Sequence, residues 1–181
     1  MYCNGIIIRR ESDERYRGID SCDSRGENWY LYDDPELEAF YEENIERTYY
    51  DMGIGNWVCV CTDMEYIRKY IKKSQELGIK YRLLLCETNI PQPQFEPPKC
   101  ERVFLGYDYA YTGGDYYSSV YNEVPYVFSQ FKVNENELIG TYEEMTAYLA
   151  ARQEFVSTHP PYTLEGGDFA VYRLWELKDM I

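Results

Sequence analysis

Trp57-Val-Cys-Val-Cys61, then Thr62 to Gly78, then Lys80-Tyr-Arg-Leu-Leu-Leu-Cys-Glu-Thr88 is the stretch that decides the fold. Trp57 to Cys61 is apolar, rich in β-branched residues and of strand length. Thr62 stands where an N-cap belongs, and Glu65 three residues on completes a capping box. Met64, Ile67, Tyr70, Ile71, Ser74 and Leu77 recur at helical spacing, which gives one mostly apolar face. Gly78 takes the position just past the helix, where a left-handed residue ends it. Arg82 to Cys86 resumes a buried strand. Strand, helix and strand in succession predict a core that mixes both kinds of element.

Working outward, Asn4 to Arg10 reads as a short strand centred on Ile6-Ile7-Ile8. Glu11 to Glu27 is a charged, Gly-punctuated loop. Asn28 to Tyr32 is a second short strand. Asp34-Pro35 opens a helix, with Asp34 as N-cap and Pro35 at the first helical position. Its inward face is Leu37, Phe40, Tyr41, Ile45, Thr48 and Tyr49. Gly53 and Gly55 break the chain before the central unit.

Downstream, Asn89 to Lys99 holds Pro91, Pro93, Pro97 and Pro98, a stiff extended connection and the best-placed subdomain boundary. Arg102 to Tyr111 is a strand whose alternation puts Val103, Leu105, Tyr107, Tyr109 and Tyr111 on one face. Gly106, Asp108 and Ala110 fall on the other. Asp115 caps a short helix that Pro125 stops. Tyr126 to Val133 is a strand or an irregular arm. Thr141 and Glu144 form a second capping box, for a helix running to Val156 with Met145, Tyr148, Leu149, Phe155 and Val156 inward. Asp168 to Leu177 is the final strand. The pattern predicts an α+β fold over residues 1–181, a mixed sheet of about five strands with three or four helices.

Hydrophobic residues make up 45% of the 181, enough for a packed core. The net charge is −14, which excludes a broad basic surface for nucleic acid and disfavours an anionic membrane. Residues 1–50 carry 6 Lys+Arg against 13 Asp+Glu, and residues 101–150 carry 2 against 8. Residues 51–100 are nearly balanced, at 7 against 6. Basic partners are the natural match for such a chain. The first residues show no apolar run long enough for a secretion signal, and no run approaches a membrane span. Cys3, Cys22, Cys59, Cys61, Cys86 and Cys100 therefore read as reduced thiols in a cytoplasmic protein.

Candidate chemistry is sparse. His159 is the single histidine; it precedes two prolines after a helix and reads as a cation at the helix C-terminus. Cys59 and Cys61 on a strand, with Cys86, lack the paired knuckles of a structural zinc site. Gly113-Gly114 before a helix lacks the spacing of a phosphate cradle, and Asp115 would repel phosphate. Asp108, Asp115, Glu165 and Asp168 lie near turns or strand ends with no fixed-spacing motif between them. No cofactor and no metal is expected.

Tyrosine is the unusual feature, at 21 residues against 7 Phe. Tyr offers large area, few rotatable bonds and a polar tip. Tyr107, Tyr109, Tyr111, Tyr116 and Tyr117, with Asp108 and Asp115, are either a core rim or a protein-binding face. Glu38, Glu42, Glu43 and Glu46 on the outer side of the helix after Pro35 are either a solvated face or an acidic strip for a basic partner.

In size, charge, lack of a catalytic motif and lack of targeting signals the chain resembles the small acidic inhibitors of bacteria and their mobile elements, of the anti-CRISPR and toxin-immunity kinds. The resemblance includes no diagnostic motif, so no residue role follows from it. It implies a non-enzymatic inhibitor whose carboxylates mimic phosphates and occupy the basic surface of a nuclease or CRISPR effector, without touching nucleic acid itself. Two alternatives stand beside it: a hydrolase or nuclease-like enzyme built on Asp108, Asp115, Asp168 and His159, and a structural domain of a larger complex.

Overall fold

A computed structural model describes residues 1–10, 36, 39, 61–91, 95–111, 120–159 and 168–180. The elements are β1 (Tyr2–Arg10), α1 (Met64–Glu76), β2 (Tyr81–Thr88), β3 (Glu101–Tyr111), α2 (Val120–Glu123), α3 (Tyr142–Thr158) and β4 (Phe169–Lys178). The fold is α+β. The four strands form one sheet in the order β1-β2-β4-β3, and every pairing is antiparallel.

The described residues thus form an antiparallel sheet rather than a mixed one, with four strands and, besides the four-residue α2, two helices, so the expected five strands and three or four helices are not confirmed among them. Of Trp57 to Cys61, only Cys61 lies among them. It pairs with Ile6 through two backbone hydrogen bonds of 2.8 and 2.9 Å, so β1 lies between Cys61 and β2. Two antiparallel steps leave Cys61 running parallel to β2 without touching it, so the parallel relationship implied by strand–helix–strand spans an intervening strand. Tyr126 to Val133 forms turns. The strand at Asn28–Tyr32 and most of the helix after Asp34 lie outside the described residues, although Glu36 and Ala39 are helical.

α1 begins one residue later than its capping box implies. Asp63 is the N-cap, and its Oδ1 accepts from the N–H groups of Glu65 and Tyr66 at 2.9 and 3.0 Å. An Asp carboxylate at this place accepts from the orphan N–H groups and complements the helix dipole at once. The C-terminus closes as expected. Gly78 has φ +68°, Gly78 N–H donates to Gln75 and Ile79 N–H donates to Ser74, which satisfies the last free carbonyls. The buried face is Tyr66, Ile67, Tyr70, Ile71 and Ser74.

α3 starts at Thr141, whose Oγ1 accepts from Glu144 N–H at 3.2 Å. It ends at His159, whose Nδ1 lies 2.9 Å from the Phe155 carbonyl and whose ring stacks on Phe155 at 3.8 Å. Its buried residues are Met145, Tyr148 and Arg152.

Successive residues of a strand point to opposite faces. Residues 171, 173, 175 and 177 of β4 therefore share one face. Leu177 packs in the cluster under α1 with Ile6, Ile8, Leu83 and Leu85. Val171 packs in the cluster under α3 with Tyr109, Met145 and Tyr148. Both helices thus lie on the same face, toward opposite ends of β4. The other face buries Ile7, Leu84, Cys86, Leu105, Tyr172 and Leu174, with Leu138 and Ile90 against them. Within the proline-rich connection, Phe95 is buried in the α1 cluster.

α3 is also pinned to the sheet by a buried polar cluster. Arg152 donates to both oxygens of Glu123, with Nε 2.9 Å from Oε2 and Nη2 3.0 Å from Oε1. Arg152 Nε also donates to Tyr109 Oη at 3.1 Å, and Tyr148 Oη donates to Glu123. Burial holds the Tyr148 phenol protonated far above its ordinary range, and its neighbours Tyr109 and Glu123 add to this.

Candidate interaction surface

The register of the sheet stacks side chains into rows that cross all four strands. One row is Cys3 on β1, Glu87 on β2, Arg173 on β4 and Tyr107 on β3. The adjacent row is Ile6, Leu85, Trp175 and Phe104. On the inner strands the two rows are two residues apart, as alternation requires. On the outer strands they are three apart, because β1 and β3 each carry one extra residue, Asn4 and Leu105. These are β-bulges, and each is followed by a glycine with positive φ, Gly5 at 151° and Gly106 at 144°. A side chain at Gly106 would also collide with its surroundings, since a Cβ there would lie 2.6 Å from Leu138 Cβ and 2.9 Å from the Ile139 carbonyl.

The bulge in β3 changes which side chains share a face. Simple alternation groups Leu105 with Tyr107, but Leu105 turns into the core of the opposite face. Phe104 takes its place beside Tyr107, their rings 5.4 Å apart and edge-on. Phe104 also contacts Trp175 at 5.1 Å, and Tyr107 contacts Tyr142 of α3 at 5.7 Å. Four rings from three elements thus form a continuous platform between the α1 and α3 clusters. Phe104 and Tyr142 are 39% and 43% exposed, a large apolar display for ring side chains.

Beside the rings lies a fixed ion pair. Arg173 Nε and Trp175 Nε1 both donate to Glu87 Oε2, each at 2.6 Å. The Arg173 guanidinium lies 5.3 Å from the centre of the Trp175 ring. Burial opposes the charge on Arg173, but hydrogen bonding and charge attraction to Glu87 and Tyr107 together outweigh it, so its pKa is raised. At the end of the row, the Cys3 thiol is pushed up to about 11, first by burial and then by Glu87. Trp, Tyr and Arg are the residue types that dominate binding energy at protein interfaces.

The residues singled out from the sequence fall in different places. Tyr107 is in the platform. Asp108 and Tyr109, which the displayed-face reading puts on the surface, are interior. Asp108 is fully buried, and its Oδ1 accepts from Tyr109 N–H at 2.8 Å and from Val120 N–H at 3.1 Å. Tyr109 packs under α3 against Arg152 and Phe169. The physical reason differs for the two: α3 covers the face of β3 that carries Tyr109, while Asp108, paired with Tyr172 on the other face, is held against the first residue of α2. Tyr111 continues β3 opposite Phe169. Glu38, Glu42, Glu43, Glu46, Asp115, Tyr116 and Tyr117 lie outside the described residues. Their neighbour Glu36 accepts from Lys73 of α1 at 2.5 Å.

Phe104, Tyr142, Glu87, Arg173 and Trp175 were absent from the sequence reading. The usable signal was Gly106 in a strand, which marks a bulge and warns that alternation resets. Arg152 was missed for another reason. It follows Met145 and Tyr148 on the inward face, yet its charge alone places it outside.

Among the described residues no group of three or more His, Cys, Asp or Glu is placed to hold a metal, and no helix is long and apolar enough to cross a membrane. No protein-family model, curated protein or solved structure matches the chain, which leaves the chemistry of this surface as the guide to function.

Proposed function

We propose that this chain is a non-enzymatic, protein-binding inhibitor whose acidic, aromatic surface occupies the basic face of a nucleic-acid-handling protein, such as a nuclease or CRISPR effector. The observation that carries this reading is the ring platform of exposed Phe104 and Tyr142 with half-buried Tyr107 and Trp175 on a chain of net charge −14. Rigid rings supply contact area with little ordering cost. The surrounding negative field steers a basic partner and makes association fast and salt-sensitive. Carboxylates then pair with the Arg and Lys side chains that would otherwise hold phosphate. Glu38, Glu42, Glu43 and Glu46, and Asp115 with Tyr116 and Tyr117, belong to this proposal as further carboxylates and rings.

The test is affinity capture from a bacterial lysate on the tagged chain, at low and at raised salt, followed by an activity assay of the retained protein. The expected result is a nucleic-acid-handling protein held at low salt, shed as salt rises, and inhibited when the purified chain is added. Absence of a stoichiometric partner in both conditions, or a partner whose nucleic-acid activity the chain leaves unchanged, overturns it.

A further inference from the structure

We infer that the platform is an arginine-binding site, which takes a guanidinium of a basic protein segment onto the exposed faces of Phe104 and Tyr142. This rests on the reading of the surface as a docking face for a basic partner, and it names the group recognised there.

The ring contacts come first. Phe104 and Tyr107 meet edge-on, as do Tyr107 and Tyr142, with interplanar angles of 64° and 60°. Edge-to-face packing uses the positive edge of one ring against the negative face of another. Phe104 and Tyr142, on either side of Tyr107, keep much of their area in solvent. Their faces are places where a flat cation gains attraction and loses little hydration.

The protein already uses this contact internally. Arg173 lies over Trp175 at 5.3 Å, and Arg152 lies over Phe169 at 4.4 Å. The first of these shares the platform, so an incoming guanidinium extends a stack that the fold begins. Charge favours the same occupant. Exposed Glu143 and Glu144 follow Tyr142 in the first turn of α3. Nearby Arg102 turns toward the chain, donating to the Pro98 carbonyl at 3.3 Å. Nucleic-acid bases also stack on rings, but the phosphates they carry would meet this negative rim.

The experiment uses the full chain with three probes: oligo-arginine and oligo-lysine peptides of equal length, and single-stranded oligothymidylate. Binding is read by calorimetry and by the indole NMR signal of Trp175, assigned through Trp175→Phe. The expected result is a Kd for oligo-arginine about threefold to tenfold below that for oligo-lysine, with the Trp175 signal moved by oligo-arginine. Phe104→Leu with Tyr142→Leu should abolish the difference and leave the weaker, salt-dependent binding common to both peptides. Equal affinity of the two peptides overturns the inference. So does an arginine preference that survives loss of both rings, or a Trp175 signal moved by the oligonucleotide instead. Should the substituted chain fail to fold, the wild-type indole signal decides by itself: movement with oligo-arginine supports, movement with oligo-lysine alone or with neither overturns. Arginine binding without a captured nucleic-acid-handling partner would sink the inhibitor reading and spare this one. A partner captured equally by wild type and the Phe104/Tyr142 variant would do the reverse.

Discussion

Arg152 and Glu123 form a bidentate ion pair in the interior, with 1% and 3% of their side chains exposed. A pair so fully removed from water is held by its own geometry, and removing one partner strands the other. Arg152→Ala and Glu123→Ala should each cost about 3–5 kcal/mol. Arg152→Ala with Glu123→Ala should cost less than the two single changes together, with a coupling of about 1 kcal/mol or more. Urea unfolding of the four chains measures the cycle, and strict additivity would contradict it.

Gly106 and Gly78 both have positive φ, yet they differ in what surrounds them. Nothing lies within 4 Å of a Cβ at Gly78, whereas one at Gly106 meets Leu138 and Ile139. Gly78→Ala should therefore cost only the left-handed backbone penalty, about 1–2 kcal/mol. Gly106→Ala should cost about 2–5 kcal/mol, from backbone strain and overpacking together. It should also shift the Phe104 and Trp175 ring signals, because the bulge sets their register. Thermal melting with NMR of the aromatic region tests both.

The Cys3 thiol, pushed up to about 11 from an ordinary 9.0, should be slow to alkylate at neutral pH. The native chain keeps this proton to higher pH than an unfolded chain would. The stability that follows is intact below the ordinary thiol pKa and is lost as pH rises through about 11. Iodoacetamide labelling at Cys3, followed by mass spectrometry across pH, should show this delayed rise. Glu87→Gln should move it to lower pH by removing the neighbouring negative charge.

At the start of α1, Asp63→Ala should destabilise the protein by about 1 kcal/mol, the usual cost of a lost N-cap. Thr62→Ala should change stability by only a few tenths, if at all. Denaturant midpoints for the two variants separate the cap that the structure uses from the one that spacing alone prefers.

That pair of residues shows what could be read in advance. Helix existence was legible because buried positions recur: Ile67, Tyr70, Ile71 and Ser74 in α1, Met145 and Tyr148 in α3. The cap at Thr141 was legible because one residue there suits the role. At Thr62 and Asp63 two candidates stand side by side, and spacing cannot choose between them. Strands β1 and β2 were legible as apolar runs and β3 by its alternation, but their antiparallel order was not, because pairing depends on residues tens of positions apart. The platform was the least legible part. Tyr107 was noticed for its company of tyrosines, while Phe104, Trp175 and Tyr142 join it only through a bulge and a helix that close in three dimensions. Asp108 and Tyr109 are interior through contacts equally distant in sequence, Tyr109 under α3 and Asp108 against the start of α2.

The strand order β1-β2-β4-β3 carries a consequence for how the chain is made. β4 fills the slot between β2 and β3, yet it follows both in the sequence. While the chain is being synthesised, β1 and β2 can pair beneath α1, but among the described strands β3 meets its partner only when β4 follows. A nascent chain stopped before Phe169 would hold the β1-β2 pair and a separate β3, and joining them waits on a single late strand. Until then Leu105 has no β4 beside it, and Leu84 lacks the Leu174 and Tyr172 side of its core.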